Sequence, residues 1–159
     1  MSREVLKIEG LRIGAKTDSG VRELTHGTDL SVREGEFFAL VGESGSGKTI
    51  TAQAALGFLP QPGGVRIAGR AELDGRDLFA LPEDELRKIR GKEVGLVFQE
   101  PSAALDPLMR VGRQLKEAFL LHAGPEGADE RVRATLRAVE LPERTLDAWP
   151  HELSGGMQQ

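Results

Sequence analysis

The sequence contains no cysteine and no tyrosine, and aromatic residues make up only 4% of its 159 residues. The absence of cysteine excludes a disulfide scaffold and a cysteine-ligated metal site. Positive charge is not in excess either, because 21 Lys and Arg stand against 25 Asp and Glu. The resulting net charge of −4 argues against a nucleic-acid partner. The longest stretch without a charged residue, 49–65, is interrupted by proline and glycine and therefore predicts no membrane-spanning helix.

Glycine, by contrast, is abundant, with 20 residues, and its clusters punctuate the predicted elements. Residues 1–35 favour an antiparallel β region with strands at 5–13, 21–25 and 30–32. A turn at Asp18-Ser19-Gly20 separates the first two of these strands. We therefore expect the chain to begin with an antiparallel β subdomain.

Two uninterrupted apolar runs, 37–41 and 94–98, predict strands that are buried on both faces of a parallel sheet. Between them the pattern predicts a helix over 48–58, which ends at the Pro- and Gly-rich residues 60–64. A strand is predicted over 65–73, followed by an Asp74-Gly75 turn, and a second helix is predicted over 82–90. Residues 36–100 are thus expected to form an α/β core.

From residue 111 onward the apolar residues follow a helical period. One predicted helical face consists of Val111, Leu115, Ala118, Phe119 and His122, and a second consists of Val132, Thr135, Leu136 and Val139. The Gly- and Pro-containing residues 123–127 separate the two faces. We therefore expect residues 101–153 to form a helical subdomain inserted before the last residues, 153–159.

A glycine-rich loop follows the first apolar run and matches the pattern G-x-x-x-x-G-K-[ST] at every fixed position. Its eight residues are Gly42, Glu43, Ser44, Gly45, Ser46, Gly47, Lys48 and Thr49. Glycines let backbone N–H groups approach an anion, and the first turn of the following helix, which includes Ile50, adds the positive end of its dipole. Lys48 is placed to reach the β- and γ-phosphates of a nucleotide, and Thr49 to coordinate Mg²⁺. The loop predicts an ATP and Mg²⁺ site in a P-loop NTPase fold.

A phosphate loop alone leaves kinases, GTPases, helicases and transport ATPases open. The last seven residues, Leu153-Ser154-Gly155-Gly156-Met157-Gln158-Gln159, resemble the signature motif of ATP-binding cassette (ABC) proteins, and Pro150-His151-Glu152 is a common lead-in to it. Ser154 is a good helix N-cap, and Gly155 and Gly156 allow close backbone approach. In ABC proteins this motif faces the γ-phosphate on the P-loop of a second ATP-binding subunit. The resemblance therefore implies a head-to-tail homo- or heterodimer that encloses two ATP molecules.

Gln99 follows the second apolar run directly, where ABC ATPases carry the glutamine of the Q-loop. The resemblance implies that Gln99 contacts Mg²⁺ and the attacking water and senses a transmembrane subunit. The surrounding residues 98–107 and 111–115 look like those of ATPase subunits from peptide and nickel importers. By this resemblance the chain is the ATP-hydrolysing subunit of an importer of peptides or a related small solute. It would lie on the cytoplasmic face of the membrane, bound to permease subunits and served indirectly by a solute-binding protein.

The sequence departs from the family pattern in two respects. ABC ATPases usually stack an aromatic ring of the N-terminal β region on adenine, and the matching position here is Ala15. The departure predicts weaker discrimination of adenine and tolerance of GTP, since base stacking contributes about 1–3 kcal/mol in nucleic-acid sites. Secondly, no apolar strand ending in Asp-Glu follows the signature. The family's switch histidine lies farther along the chain, whereas His26, His122 and His151 all precede or adjoin the signature, so none of them matches it.

We therefore expect the 159 residues to be the N-terminal part of a longer subunit, incomplete at its C-terminus. Alone, this part should be inactive as an ATPase and should have exposed apolar edges at 37–41 and 94–98.

One alternative is a non-transport ABC ATPase of DNA repair or chromosome organisation. Those proteins carry long coiled coils between Q-loop and signature, whereas only 55 positions separate Gln99 from Ser154. The other alternative is a cassette that binds nucleotide or a partner without turnover.

Overall fold

A computed structural model describes residues 2–59 and 65–159 of the chain. The described residues form two compact units, Met1–Arg87 and Lys88–Gln159. The segment predicted to end the first helix, residues 60–64, lies outside the described residues. The division of the chain into four parts stays a prediction.

The first unit is built on a four-stranded antiparallel sheet in the order β2-β1-β3-β4. The strands are β1 (Glu4–Thr17), β2 (Gly20–Arg33), β3 (Val65–Leu73) and β4 (Arg76–Asp77). The predicted turn joins β1 to β2, and the Thr17 hydroxyl donates to the carbonyl oxygen of Gly20 at 3.0 Å. The prediction of an N-terminal antiparallel β region is confirmed.

The two strands predicted at 21–25 and 30–32 are a single strand, β2, whose pairing with β1 shifts register four times. At one shift the buried Thr25 hydroxyl accepts from the Ile13 N–H at 2.9 Å and donates to the Leu11 carbonyl at 3.3 Å. A side chain thus satisfies backbone groups that an irregular ladder leaves unpaired. Residues 26–29, which separated the two predicted strands, lie within β2.

Helix α1 (Lys48–Ala55) packs Ala54 and Ala55 on the inner face of the sheet. The core of the first unit is a cluster of small and branched apolar residues: Ile8, Leu11, Ile13, Ala54, Ala55 and Ala71. The helix ends earlier than the predicted residue 58, because Gly57 adopts φ +71° and the Gly57 N–H bonds to the Ala54 carbonyl at 3.0 Å. The short helix nevertheless anchors the loop that precedes it.

The strands predicted at 37–41 and 94–98 are wrong, because both segments are irregular in the structure. A parallel strand needs flanking strands to pair its backbone, and among the described residues the second run has only an isolated parallel bridge, between Arg90 and Val94. The expected exposure is observed for most of their apolar side chains, whereas Val94 is buried. Phe37 is fully exposed, Val41 is 88% exposed and Val97 is 76% exposed.

A short helix, α2 (Glu83–Ile89), follows the sheet, and its first turn contains three acidic residues. The remaining helices belong to the second unit: α3 (Val111–Ala123), α4 (Ala128–Ala138) and α5 (Gly155–Gln158), with 3₁₀ turns at Pro101–Ala104, Glu143–Asp147 and Pro150–Glu152. Val111, Val132 and Leu136 are buried as predicted, whereas Thr135 and Val139 of the second predicted face are exposed. Within residues 2–59 and 65–159 no helix is both long and apolar enough to span a bilayer.

Candidate functional site: a phosphate loop and a signature turn

The glycine-rich loop of the first unit curls around the side chain of its own lysine. The Lys48 ammonium donates to the carbonyl oxygens of Gly42 at 2.8 Å and Glu43 at 2.6 Å, and it lies 3.4 Å from Ser46 Oγ. The Ser46 N–H closes the turn on the Glu43 carbonyl at 3.2 Å. The loop therefore fixes the position of one positive charge through its backbone.

Two glycines shape this loop by adopting left-handed backbone angles, with φ +82° at Gly45 and +91° at Gly47. Gly47 also lies against β2, because a Cβ at this position would stand 3.3 Å from both the Leu24 carbonyl oxygen and the Thr25 methyl group. Contacts this short would require the neighbouring atoms to shift by a few tenths of an ångström to admit a side chain. The fixed Gly47 of the motif thus serves both the turn and its packing on the sheet.

The first turn of α1 is open for an anion. The first helical hydrogen bond runs from the Thr51 N–H to the Gly47 carbonyl at 2.9 Å, so the N–H groups of Lys48, Thr49 and Ile50 precede the helical ladder. No side chain caps this end of α1, and its first turn carries no acidic residue. Free amides and the positive end of the helix dipole favour phosphate here.

In the second unit, Gln99 is exposed at the end of the irregular segment 95–98 and directly before the Pro101–Ala104 turn. That turn contacts α5. A cavity of about 140 Å³ lies between the two, lined by Phe98, Pro101, Leu105, Gln158 and Gln159 among others. Within this unit the structure brings the segment that carries Gln99 next to the signature helix.

The signature turn has the predicted cap. Ser154 precedes α5, and its hydroxyl accepts from the Met157 N–H at 3.4 Å. Gly155 and Gly156 are exposed, and a Cβ at either would meet no atom within 4 Å. Gln158 donates from its side-chain amide to the Pro150 carbonyl at 2.8 Å. The Gln158 side chain thus fixes the turn to Pro150, while the exposed Gly155 and Gly156 are accessible to a ligand.

Residues that the sequence did not single out hold this turn in place. The Arg110 guanidinium lies 5.2 Å from the centre of the Trp149 ring and donates to the Asp147 carbonyl. The Val111 N–H donates to the Ala148 carbonyl at 3.0 Å, and Glu152 accepts from the Trp149 N–H at 2.7 Å. The lead-in to the signature is thereby fixed to the start of α3. Its one sequence indicator is Trp149, the single tryptophan of the chain.

Gln114 is a second such residue. Its amide oxygen accepts from the Asp106 N–H at 3.0 Å, and its amide nitrogen donates to the carbonyls of Asp106 at 2.9 Å and Met109 at 2.8 Å. Asp106 in turn accepts from the Leu108 N–H at 2.9 Å. The loop between the Gln99 segment and α3 is therefore closed by a single side chain.

The three histidines occupy different places in the fold. His26 is exposed and lies 3.3 Å from Glu23 on the sheet, and His151 is exposed in the Pro150–Glu152 turn. His122 is half-buried, and a Cβ on Gly91 would stand 2.6 Å from its Nε2 atom. Their positions give no reason to assign them chemistry.

Comparison with known proteins agrees with this arrangement. The family model described as ABC transporter matches residues 25–159. The oligopeptide transport ATP-binding protein OppD of Bacillus subtilis is 39% identical over 98% of this chain, and OppD of Escherichia coli is 42% identical over 98%. The chain spans 44% and 47% of the length of these two relatives.

A solved structure titled as a dimeric, post-hydrolysis state of the ATP-binding cassette MJ0796 bound to ADP and Pi is 28% identical. It superimposes with a TM-score of 0.81 and covers 96% of this chain and 65% of that one. A P-loop core with an antiparallel β subdomain and inserted helices is the fold of an ABC ATPase cassette, of which the chain is a part. The chain belongs to the ABC transporter family. Its relatives named above are oligopeptide transport ATP-binding proteins.

Proposed function

We propose that the chain is the nucleotide-binding part of an ATP-hydrolysing subunit that drives import through an ABC transporter. The observation that carries this proposal is the Lys48 ammonium held by the carbonyls of Gly42 and Glu43 beside the open first turn of α1. A fixed cation next to free helix amides is suited to the phosphates of a nucleotide. The names of the relatives support a peptide or a related small solute as the cargo.

Within one subunit, the loop and the start of α1 supply the proposed phosphate contacts. Residues 42–49 and the amide of Ile50 surround the β- and γ-phosphates, and Lys48 stabilises the negative charge that develops during transfer. The binding residues are Gly42, Glu43, Ser44, Gly45, Ser46, Gly47, Lys48, Thr49 and Ile50.

The Thr49 hydroxyl and the Gln99 amide oxygen are the proposed protein ligands of Mg²⁺. Hydroxyl and amide oxygens fit this cation, which accepts few protein ligands and keeps waters and phosphate oxygens. The residues that the structure describes include no cluster of three His, Asp or Glu that could hold a metal. Two protein oxygens would leave the remaining positions of Mg²⁺ to water and phosphate oxygens, and the metal would neutralise phosphate charge there.

The second unit supplies the groups for sensing and for the partner subunit. We assign to Gln99 the detection of the permease and the orientation of the attacking water. Ser154, Gly155 and Gly156 would complete the site of a second ATP-binding subunit, since their exposed backbone and the start of α5 can approach a phosphate closely. The dimeric state of MJ0796 supports this assembly. Such a subunit would lie on the cytoplasmic face of the membrane against its permease.

Calorimetric titration of Mg-ATP into the chain tests the central assignment. Lys48→Ala should abolish tight binding, because it removes the only side-chain cation of the loop. Lys92→Ala, an exposed lysine of the second unit, is the matched control and should bind like the parent chain. Unchanged ATP affinity in Lys48→Ala would refute the proposal.

None of the assigned residues is a general base. We therefore expect the 159-residue chain alone to bind nucleotide without turning it over. A single-turnover hydrolysis assay at protein excess over Mg-ATP measures this directly, and release of phosphate that Lys48→Ala abolishes would contradict the expectation.

A further inference from the structure

The face of the sheet that carries the phosphate loop is open at one end. Gly47 lies against Thr25, whose partner on β1 is Ile13. From there towards Leu11 and Ile8 this face is filled by the core. In the other direction the next residue of β1 on the same face is Ala15, which is only half-buried.

Ala15 is flanked by Arg22 on β2 and by Val65 on β3. Residues paired directly across an antiparallel sheet point to the same face, so the three side chains stand together. Ala15 has the smallest side chain of the three and is only half-buried. Val65 packs against the core cluster and provides an apolar floor on one side.

Arg22 places a positively charged side chain beside Ala15. Its side chain is exposed and makes no ion pair or hydrogen bond with another residue in the parts of the chain that the structure describes. The nearest acid along β2, Glu23, lies on the opposite face and is paired with Arg12 at 3.3 Å. Arg22 is three residues from Thr25, a span of roughly 10 Å along a strand. A base whose phosphates occupy the loop can therefore reach it.

We propose that Arg22 contacts the base of a bound purine nucleotide and makes the site accept guanine as well as adenine. A planar guanidinium stacks on aromatic faces, and its fork of donors matches two acceptors on one edge of a base. Guanine presents N7 and O6 as adjacent acceptors, whereas adenine presents one acceptor and one donor on that edge. The inference rests on the proposed nucleotide-binding function and names the base that this same site takes.

A matched control for the loss of positive charge is available on strand β3 of the same sheet. Arg66 on β3 is also exposed, but it pairs with Gly14 and therefore points to the opposite face. Arg66→Ala removes the same charge at nearly the same place in the unit without touching the Ala15 face. Both arginines are surface residues, so the variants should fold, which circular dichroism and thermal unfolding verify.

Calorimetric titrations with Mg-GTP, Mg-ATP and inorganic triphosphate test the inference. The parent chain should bind GTP and ATP within a few-fold of each other. Arg22→Ala should weaken GTP binding by about tenfold, within the range of a guanidinium–guanine contact, and ATP binding by less. Arg22→Lys should resemble Arg22→Ala towards GTP, because an ammonium lacks the planar fork. Triphosphate affinity should not change in either variant.

Three results would overturn the inference while the nucleotide-binding function stands. The first is a loss of triphosphate affinity in Arg22→Ala equal to the loss for GTP, since Arg22 would then act on the phosphates. The second is an equal effect of Arg66→Ala, which would indicate a general charge effect. The third is a parent chain that binds ATP strongly and GTP weakly. A parent chain that binds neither nucleotide nor triphosphate would instead refute the proposed function itself.

Discussion

The methyl group of Thr25 lies 3.3 Å from the position that a Cβ on Gly47 would occupy. This contact joins the phosphate loop to the sheet, and Gly47 additionally holds φ +91°. We expect Gly47→Ala to lower the free energy of unfolding by about 2–3 kcal/mol, because it combines left-handed backbone strain with a crowded contact.

Gly45→Ala is the matched control for that measurement. Gly45 shares the left-handed conformation, with φ +82°, but a Cβ there would meet no atom within 4 Å. Urea unfolding should show a loss of only about 1–2 kcal/mol, which is the backbone strain alone. Equal losses in the two variants would show that the contact with Thr25 has no energetic weight.

Two buried threonines should respond in opposite ways to the same substitution. Thr145 is 2% exposed and its hydroxyl has no hydrogen-bond partner among the residues that the structure describes, whereas the Thr25 hydroxyl makes two hydrogen bonds to β1. Thr145→Val should raise the free energy of unfolding by about 1 kcal/mol, because an unpaired buried hydroxyl is removed. Thr25→Val should lower it by about 1–3 kcal/mol. Chemical denaturation compares both variants, and destabilisation by Thr145→Val would show that its hydroxyl is bonded in solution.

Gln114 should matter for the loop before α3 more than for the helix itself. Gln114→Ala removes three hydrogen bonds to Asp106 and Met109, and we expect a loss of about 1 kcal/mol, because the Asp106 groups can reach water. Hydrogen exchange should show faster exchange of the Asp106 amide. Arg113→Ala on the same helix breaks an exposed ion pair with Glu117 and should change stability by less than about 0.5 kcal/mol. Unchanged exchange at Asp106 would refute this role.

The exposed run before the phosphate loop should bind apolar dyes. Phe37 is fully exposed and Val41 is 88% exposed, so the double variant Phe37→Ser, Val41→Ser should reduce binding of anilinonaphthalene sulfonate. Its free energy of unfolding should change by less than about 0.5 kcal/mol per site. By contrast, Ile13→Ala at a fully buried position should cost about 2–5 kcal/mol. A large destabilisation by the double serine variant would mean that the run is packed in solution.

Features that depend on residues close together in the sequence were predictable, whereas strand pairing and hydrogen bonds between distant segments were not. The Asp18–Gly20 turn and the Ser154 cap were found because each depends on residues within a few positions. The apolar composition of 37–41 predicted a buried strand, but the segment is irregular and exposed, because a parallel strand forms only when neighbours pair with it. Gln114 and Arg110 escaped notice because their partners lie up to 37 positions away and polar residues on a helix show no period that reveals them.

The attachment of Arg110 and Val111 to residues 147–149 has a mechanical consequence. Helix α3 has 13 residues and is therefore about 20 Å long. One end of this rod is bonded to the segment that leads into Ser154, and Gln158 ties the signature turn back to the same segment. These bonds join the start of α3 and the signature turn to one segment of the chain. We therefore expect a displacement of α3 to move the glycines of the signature with it.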